Sequence, residues 1–557
     1  MRSGGQILVD QLRLQGVDAA FLVPGESFLP VLDALFDAST IRTIVCRHES
    51  GAAMMAEASG RLTGRPGVAF VTRGPGATNA ASGVYVAAQG QTPMVLFVGL
   101  PARRLSGLPA FQDIDLAGFY GQVAKHVAIV PSASRMADAV AGAFAIALSG
   151  RPGPVVVGLP EDVLSESAAA PDAPRMVPAL AAPSEAAMRD IADRLASAEQ
   201  PMVIVGGPRW SRDAQIAVQA FALRFDLPVT AAFRAQDYFD NRHPSYCGHI
   251  GLNLDTKLAT AIRASDLLLV IGAPLDEIGT AGWTIIKSPA PSQHIIHVHP
   301  GGNDPSSSVC ATTNIVATAD GFAAQLRTIE PPAQKRWRTF RRDLRAAYET
   351  TQRPLATPGA VQFGEIVRVV CERLPDTAVI TGGAGNYAQF VHRYFTYKGF
   401  GTSLAPQSGT MGYGLPAAIA AKLADPQRAV VAFAGDGCFL MTAQELATAV
   451  QYDLPIIVIV ANNAMYGTIR MHQERSYPGR VSGTSLVNPD FAALAESFGA
   501  RGLSIEKTDD FAPAFEEALA SAWPTVLALR IDPEALTPQT TLSQFRAIGS
   551  GAKGGRS

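Results

Sequence analysis

The chain has 557 residues, of which 48% are hydrophobic and 17% charged, and its formal net charge is -2. This length exceeds the roughly 250 to 300 residues at which one hydrophobic core stops growing, so we expect several domains and subunits that assemble. A nearly neutral chain without a long basic run has no field to attract nucleic acid, and its apolar runs are too short to cross a membrane. These properties predict a cytoplasmic protein without nucleic-acid or membrane partners.

The chain has five cysteines, Cys46, Cys247, Cys310, Cys371 and Cys438. They are odd in number and widely scattered, and no two of them form a CxxC pair. This pattern argues against both a disulfide framework and a zinc site. We therefore expect reduced, buried thiols.

Three stretches alternate short apolar runs with turn glycines and alanine-rich segments, a pattern typical of parallel α/β layers. In the first, apolar runs at 41–46, 68–72 and 94–99 alternate with helical segments at 51–60 and 77–88. The sequence therefore predicts an α/β fold of three doubly wound parallel-sheet domains. The predicted segments are an N-terminal domain at 1–165, a linker at 166–185, a central domain at 186–330, a linker with a connecting helix at 331–358, a C-terminal domain at 359–535 and an irregular tail at 536–557.

Two loops in the third stretch carry polar residues directly after apolar strands. One strand enters Gly435-Asp436-Gly437, and the next runs into Asn462-Asn463. Because the carboxyl ends of parallel strands meet at one edge of a sheet, Asp436 and Asn463 can converge. A carboxylate, an amide oxygen and a backbone carbonyl suit Mg²⁺, and glycines let the backbone approach phosphate oxygens. The sequence predicts a magnesium and diphosphate site here, although either loop alone would more often be a plain turn.

Joined across a strand–helix–strand unit, the two loops resemble the thiamine-diphosphate motif, GDG followed at this spacing by NN. The resemblance implies thiamine diphosphate and Mg²⁺ as cofactors. It implies a metal held by Asp436, Asn463 and the carbonyl of Met465. The residues expected to line the diphosphate in these loops are Gly435, Gly437, Cys438, Met465, Tyr466 and Gly467.

The sequence Arg47-His48-Glu49 lies at the junction of a strand and a helix. It resembles the segment in which these enzymes carry the glutamate that exchanges a proton with the aminopyrimidine ring of the cofactor. The resemblance implies that Glu49 is catalytic, whereas an acidic residue at this position can also serve only as a helix cap. Glu57, on the same helical stretch, is expected at the surface.

Residues 408–416 resemble the GTMG stretch of acetolactate synthases. The resemblance implies that the carbonyl of Gly409 accepts a hydrogen bond from the aminopyrimidine and that Met411 bends the cofactor. Methionine here can equally fill a core. Asn386 and Tyr387 occupy the place where the family makes further diphosphate contacts.

The resemblance to acetolactate synthases covers nearly the whole chain and is strong at 74–79, which includes Asn79, around Gln112, and at 479–500. It implies that Asn79 contacts the cofactor and that Gln112 points at the thiazolium region. The implied activity is decarboxylation of a pyruvate-like 2-oxo acid with carboligation to a carbonyl acceptor, in a homodimer or homotetramer whose cofactor lies between first and third domains of opposite subunits. The alternatives are a 2-oxo acid decarboxylase or aldehyde lyase, and a non-catalytic cofactor-binding paralogue.

Several positions depart from that family pattern. Arg73 replaces a small residue and Glu26 replaces a glycine, and we expect both in the substrate space, Arg73 as a carboxylate partner and Glu26 as a proton-transfer group. Pro274 removes an arginine of the stretch that holds FAD, which argues against FAD, and Gly206-Gly207 is only a weak dinucleotide signal. The sequence leaves two alternatives for the central domain, binding of another nucleotide or service as scaffold only. The residues at 471–472 replace a family tryptophan, so the sequence leaves the acceptor open.

Overall fold

A computed structural model of the chain describes residues 1–301 and 311–554. It contains three sheets, each with six strands that pair in parallel, and one small antiparallel pair, Arg2–Ser3 with Ser167–Ala168. The predicted fold class is therefore confirmed. The described residues form two compact units, the first made of Met1–Ala179, Pro406–Pro426 and Thr442–Tyr452, and the second of the remainder.

The first unit contains the first sheet. Its central strands are apolar along their whole length because both faces are covered, as in Met94–Leu100, where all seven residues are buried. In spatial order the strands are Arg42–Val45, Ala19–Leu22, Gly67–Val71, Met94–Leu100, Pro154–Pro160 and His126–Ile129. The α-helices of this unit are Gly4–Leu14, Leu29–Asp37, Glu49–Thr63, Gly74–Gly90, Leu116–Tyr120, Met136–Leu148, Glu161–Ser165, Gly414–Ala424 and Leu446–Gln451.

The second unit contains the other two sheets. In spatial order the strands of the second sheet are Tyr246–His249, Val229–Ala231, Pro201–Val205, Leu267–Ile271, His294–His299 and Thr313–Val316. Those of the third sheet are Ser403–Leu404, Val379–Gly382, Val430–Gly435, Ile457–Asn462, Thr525–Arg530 and Arg501–Ile505. In the third sheet the strands that precede the two predicted metal loops are direct neighbours, with Gly435 beside Ala461.

Helices cover these two sheets, and one of them lies where the sequence suggested an irregular tail. The α-helices of this unit are Glu185–Ser197, Arg212–Phe225, Thr256–Ala264, Ala319–Gln325, Arg338–Thr351, Phe363–Arg373, Tyr387–Tyr394, Asp436–Leu440, Gly467–Ser476, Phe491–Ser497, Phe511–Ala520 and Leu542–Gly554. The last helix forms because Leu542 and Phe545 pack on Met465, Met471 and Leu536. The glycines and the serine in the second half of this helix did not prevent the helix from forming.

Two sequence expectations concern the chain as a whole. Within the described residues, Cys46, Cys247, Cys371 and Cys438 are buried and form no disulfide, as expected for reduced thiols, whereas Cys310 lies outside them. Within 1–301 and 311–554, no helix has the length and apolar character needed to cross a bilayer.

Candidate active site

Glu49 is the first residue of the helix Glu49–Thr63 in the first unit. His48 caps this helix, and its Nδ1 atom accepts a hydrogen bond from the backbone of Ser50 at 3.2 Å. The Glu49 side chain is buried, and its Oε2 atom accepts a hydrogen bond from Asn79 Nδ2 at 2.9 Å. Asn79, expected at the cofactor, therefore contacts the candidate catalytic carboxylate. The Asn79 amide therefore fixes the orientation of this carboxylate.

Glu445 supports the turn that carries Glu49, and sequence reasoning missed it. Its carboxylate is buried and accepts hydrogen bonds from the backbone N–H groups of Arg47, at 3.1 Å, and His48, at 2.9 Å. It also accepts from the hydroxyl of Thr448 at 2.7 Å. Burial raises the pKa of Glu445. Gly51 is required beside it, because a Cβ there would lie 2.3 Å from Glu445 Oε1.

The expectation that Glu57 lies at the surface is wrong. Its side chain is buried and accepts hydrogen bonds from the hydroxyls of Thr92, at 2.6 Å, and Tyr413. The helix that carries Glu57 is built of Gly, Ala and Met on most faces, and the helices Gly74–Gly90 and Gly414–Ala424 pack against it. That small-residue composition was the available signal for burial on all sides.

The GTMG segment lies in the first unit. Gly409 and Gly412 have left-handed backbones, with φ of +68° and +83°. The carbonyl of Gly412 accepts a hydrogen bond from the Thr442 hydroxyl at 2.6 Å, which fixes the end of the segment. Gly409 is exposed and a Cβ there would meet only open space, while Met411 is half-buried. The carbonyl of Gly409 and the Met411 side chain are thus on an ordered turn with room beside it.

Arg73 and Gln112 belong to two loops that hydrogen bonds join. The Arg73 guanidinium contacts Glu161 Oε2 at 2.5 Å and donates to the carbonyl of Phe111 at 3.3 Å. Gly74 donates from its backbone to the carbonyl of Gln112 at 2.8 Å, and Gln112 has a left-handed φ of +58°. The carboxylate that Arg73 contacts in this structure is therefore a residue of the chain itself.

Glu26 lies in the same unit, at the start of the 3-10 turn Glu26–Phe28, and its side chain is exposed. The neighbouring residue, Ser27, is buried and shares a hydrogen bond of 2.9 Å with the hydroxyl of Thr72. Thr72 directly precedes Arg73 in the chain. The turn that carries Glu26 is therefore tied to the loop that carries Arg73.

Asp436 lies at the carboxyl end of a strand in the second unit. It is 3% exposed, and burial raises its pKa. One carboxylate oxygen accepts from the backbone of Gly437 at 2.8 Å and the other from Asn488 Nδ2 at 2.9 Å. A nearby cation would offset the cost of keeping this buried carboxylate ionised.

The loop after the neighbouring strand contains Asn462 and Asn463. The side-chain oxygen of Asn462 accepts hydrogen bonds from Asn488, at 2.9 Å, and from the backbone of Ala464, at 3.1 Å. Asn463 is half-buried, and its oxygen is 3.3 Å from the backbone nitrogen of Met465. Asn462 is thus engaged within the protein, and Asn463 is the less engaged of the two amides.

Glycines and aromatic rings shape the surroundings of these loops. The ring of Tyr466 lies against Gly437, where a Cβ would be 2.5 Å from it, and the ring of Tyr387 lies against Gly435 at 3.1 Å. The Tyr387 hydroxyl accepts from the backbone of Gly383 at 2.8 Å and lies 3.5 Å from the sulfur of Cys438. Tyr387 therefore packs beneath the GDG turn.

Asn386 lies beside Tyr387 and is buried. Its side-chain oxygen accepts a hydrogen bond of 2.8 Å from the hydroxyl of Thr468. Gly467 precedes Thr468, and a Cβ on it would lie 3.3 Å from Asn463 Nδ2. Asn386 is therefore connected to the start of the helix Gly467–Ser476, which follows the metal loop.

A buried ion pair anchors the far end of that helix. Glu474 accepts hydrogen bonds from Arg546 Nη2 at 2.7 Å and Arg546 Nε at 2.8 Å, and from Arg470 at 3.2 Å. Its side chain is 1% exposed. The hydrogen bonds from Arg546 lower the pKa of Glu474 to about 2. The C-terminal helix Leu542–Gly554 is thereby fixed to the helix that follows the metal loop.

The glycines of the central sheet have a packing explanation. The strand order reverses between the neighbours Pro201–Val205 and Leu267–Ile271. A Cβ on Gly207 would lie 1.8 Å from the carbonyl oxygen of Gly272, so the two backbone turns are in direct contact. Trp210 Nε1 donates to the carbonyl of Gly206 at 2.8 Å. The turns at this reversal therefore pack on each other at the place where open α/β sheets usually bind a nucleotide.

The donor set in the second unit suits a hard cation held together with phosphate. Among the described residues, no three His, Cys, Asp or Glu side chains cluster as a metal site. The oxygens that the sequence predicts as metal ligands are a carboxylate of Asp436, the amide of Asn463 and the carbonyl of Met465. Mg²⁺ is commonly bound by one or two carboxylates together with phosphate oxygens, so this sparse set fits Mg²⁺ with a diphosphate.

Comparisons with known proteins find similar proteins along most of the chain. Models of the thiamine pyrophosphate enzyme match three stretches: the N-terminal TPP binding domain at 2–119, the central domain at 188–326 and the C-terminal TPP binding domain at 383–529. The acetolactate synthase large subunit of Parasynechococcus marenigrum is 33% identical, over 95% of this chain and 87% of that relative. The acetolactate synthase isozyme 2 large subunit of Escherichia coli is also 33% identical, over 95% and 96%. The mitochondrial acetolactate synthase catalytic subunit of Saccharomyces cerevisiae is 30% identical, over 95% and 81%.

Proposed function

We propose, because the chain belongs to the thiamine pyrophosphate enzyme family, that it decarboxylates a 2-oxo acid such as pyruvate and joins the two-carbon unit to a carbonyl acceptor. The observation that carries this proposal is the buried Glu49 carboxylate, held by the Asn79 amide at the start of its helix. When bound, thiamine diphosphate supplies the carbon nucleophile and electron sink that this chemistry needs.

Glu49 would hold and return a proton at the aminopyrimidine of the cofactor. A residue that exchanges a proton must lie within hydrogen-bond reach of the group it serves, and the Asn79 amide would keep the Glu49 carboxylate oriented for this. The Glu445 hydrogen bonds to the turn before Glu49 would keep the carboxylate in place. The carbonyl of Gly409 and the side chain of Met411 would orient the cofactor, as the family resemblance implies.

Mg²⁺ would be held by Asp436, Asn463 and the carbonyl of Met465. The diphosphate would lie against residues that the structure places in the two loops or beside them. These residues are Gly435, Gly437, Cys438, Tyr466, Gly467, Asn386 and Tyr387. Gly435 and Gly437 would leave the backbone close to the phosphate oxygens.

Gln112, Glu26 and Arg73 would act on the substrate side. Gln112 would steer the acceptor carbonyl, and exposed Glu26 would transfer protons there. Arg73 would bind a substrate carboxylate in competition with Glu161, which is 2.5 Å from it. We propose that the central domain acts as scaffold without FAD, because Pro274 stands where the FAD-holding arginine is expected and the turns at Gly207 and Gly272 pack on each other.

We also propose a homodimer or homotetramer. In the second unit, large apolar side chains around the metal loops are exposed, among them Val487, Ile469 and Met441. In the first unit, Phe36 is 91% and Phe111 73% exposed. Exposed apolar side chains grouped around a site are typical of surfaces that a partner covers. The exposure of these side chains supports the assembly that the family resemblance implies.

The test is a product assay on purified protein with pyruvate, thiamine diphosphate and Mg²⁺, with and without added aldehydes. Release of CO₂ with acetolactate as product is the expected result. Acetaldehyde or another hydroxyketone would move the assignment to a decarboxylase or aldehyde lyase. Cofactor binding without turnover of any 2-oxo acid would identify a non-catalytic paralogue and would contradict the proposal.

A further inference from the structure

Asn488 joins the ends of the two strands that lead to the metal loops. Its Nδ2 atom donates to Asp436 Oδ2 at 2.9 Å and to Asn462 Oδ1 at 2.9 Å. A side-chain amide nitrogen carries two hydrogens, so both donors are used. Asp436 follows one strand and Asn462 ends its parallel neighbour, which means that one side chain sets the separation of the two loops.

The same contact assigns different tasks to the two asparagines of the NN pair. The Asn462 oxygen receives Asn488 and the backbone of Ala464, so it faces the protein. Among the residues that the structure describes, the Asn463 oxygen has only the longer contact, 3.3 Å, with the backbone of Met465. Because Asn488 occupies the side-chain oxygen of Asn462, the amide oxygen that remains available to a cation is that of Asn463.

Asn488 is itself held on both sides along the chain. The preceding segment pairs with the metal loop, since Tyr466 donates from its backbone to Thr484 at 2.9 Å and Leu486 donates to Ala464 at 2.8 Å. Two residues after Asn488, the side chain of Asp490 caps the helix Phe491–Ser497 by accepting from two backbone N–H groups. Asn488 thus reaches Asp436 from a backbone that is anchored and not from a free loop.

We propose that Asn488 is a positioning residue that sets the affinity of the site for its divalent cation. The proposal rests on the proposed function, in which Asp436 binds Mg²⁺. Partners that hydrogen-bond a metal-binding carboxylate fix its orientation, and their removal commonly lowers metal affinity about 10- to 100-fold. An amide does this without adding positive charge, which would repel the cation.

The experiment compares the wild-type protein with Asn488→Ala and Asn488→Ser, and uses Asn314→Ala as a matched control. Asn314 is an exposed asparagine on the edge strand Thr313–Val316 of the central sheet. Mg²⁺ is titrated by calorimetry into each protein at saturating thiamine diphosphate. We expect affinity for Mg²⁺ to fall about 10- to 100-fold in Asn488→Ala, less in Asn488→Ser, and not at all in the control.

Turnover at increasing Mg²⁺ supplies the second readout. A lost positioning contact is overcome by mass action, so a large excess of Mg²⁺ should restore most of the turnover of Asn488→Ala. Unchanged Mg²⁺ affinity in both variants, or a loss of turnover that excess Mg²⁺ does not restore, would overturn the role of Asn488. Failure of the wild-type protein to bind Mg²⁺ with thiamine diphosphate would instead overturn the proposed function, and the two failures are therefore distinguishable.

Discussion

The candidate site residues of the two units differ in their chemistry. The first unit buries three glutamates, Glu49, Glu57 and Glu445, each hydrogen-bonded to neutral donors. The metal loops of the second unit combine one carboxylate, Asp436, with amides and backbone carbonyls. Neutral hydrogen-bond donors fix the orientation of a buried carboxylate, whereas a single carboxylate among amides suits a cation that shares its charge with phosphate. The comparison supports our proposal that proton transfer belongs to residues of the first unit and metal binding to residues of the second.

The pKa values of two buried glutamates, one in each unit, are shifted in opposite directions. Burial raises the pKa of Glu445, so its contribution to stability is lost as the pH rises through that raised value. Hydrogen bonds from Arg546 lower the pKa of Glu474 to about 2, so its contribution is lost as the pH falls from the ordinary value of 4.5 towards 2. The turn beneath Glu49 and the helix after the metal loop should therefore respond to pH in opposite directions.

The largest effect should come from Glu49→Gln. The amide side chain keeps an acceptor for Asn79 but cannot exchange a proton, so turnover should fall about 10²- to 10⁴-fold while the affinity for thiamine diphosphate changes little. Asp436→Asn removes the carboxylate that would bind Mg²⁺, so its main effect should be a lower affinity for thiamine diphosphate in the presence of Mg²⁺. Turnover and cofactor titrations on both variants check this division. Equal loss of cofactor affinity in the two variants would contradict it.

Next in size is Glu445→Ala. This change leaves the partly buried N–H groups of Arg47 and His48 and the buried Thr448 hydroxyl without their acceptor, which should lower the free energy of unfolding by about 2 to 4 kcal/mol. Glu445→Gln retains one acceptor oxygen and should recover most of that loss. Urea denaturation measures both. Exposed Glu185 serves as the control site, where alanine should have almost no effect.

A smaller effect is expected from Glu474→Gln, and it should depend on pH. At neutral pH the variant loses the ionised partner of Arg546 and Arg470, which should cost about 1 to 2 kcal/mol, because Arg546 is partly solvated. Below about pH 3 the wild-type glutamate is itself becoming protonated, so the two proteins should converge. Urea denaturation of both proteins, at neutral pH and again below about pH 3, tests this. A constant difference would mean that packing, and not charge, fixes the C-terminal helix.

The strands and the two metal loops could be predicted from the sequence because their signals are local. Buried parallel strands are continuous apolar runs, and the loops that follow them carry their polar residues within a few positions. The burial of Glu57 could not be predicted in the same way, since it depends on Tyr413, which is far away in the chain. The C-terminal helix was missed because its glycines obscured an apolar face that only tertiary packing reveals.

Supporting residues were missed for a related reason. Glu445 ends the short turn Ala443–Glu445, and its partners are the N–H groups of Arg47 and His48, which are far away in the chain. Asn488 lies in a stretch that resembles acetolactate synthases without a motif of its own. Backbone N–H groups and carboxylates give no pattern that marks them as the partner of a distant side chain. Residues that perform the chemistry are therefore easier to predict than residues that hold them in place.

The smallest effect concerns Arg73 and Glu161. If Arg73 receives the carboxylate of the substrate, Arg73→Met should raise the KM for the 2-oxo acid by roughly tenfold, which corresponds to about 1.4 kcal/mol. Glu161→Gln removes the competing charge and should lower KM or leave it unchanged. The structure also offers another outcome, because Arg73 donates to the carbonyl of Phe111 next to Gln112. Equal losses of kcat in both variants at constant KM would show that the ion pair holds the Gln112 loop and does not bind substrate.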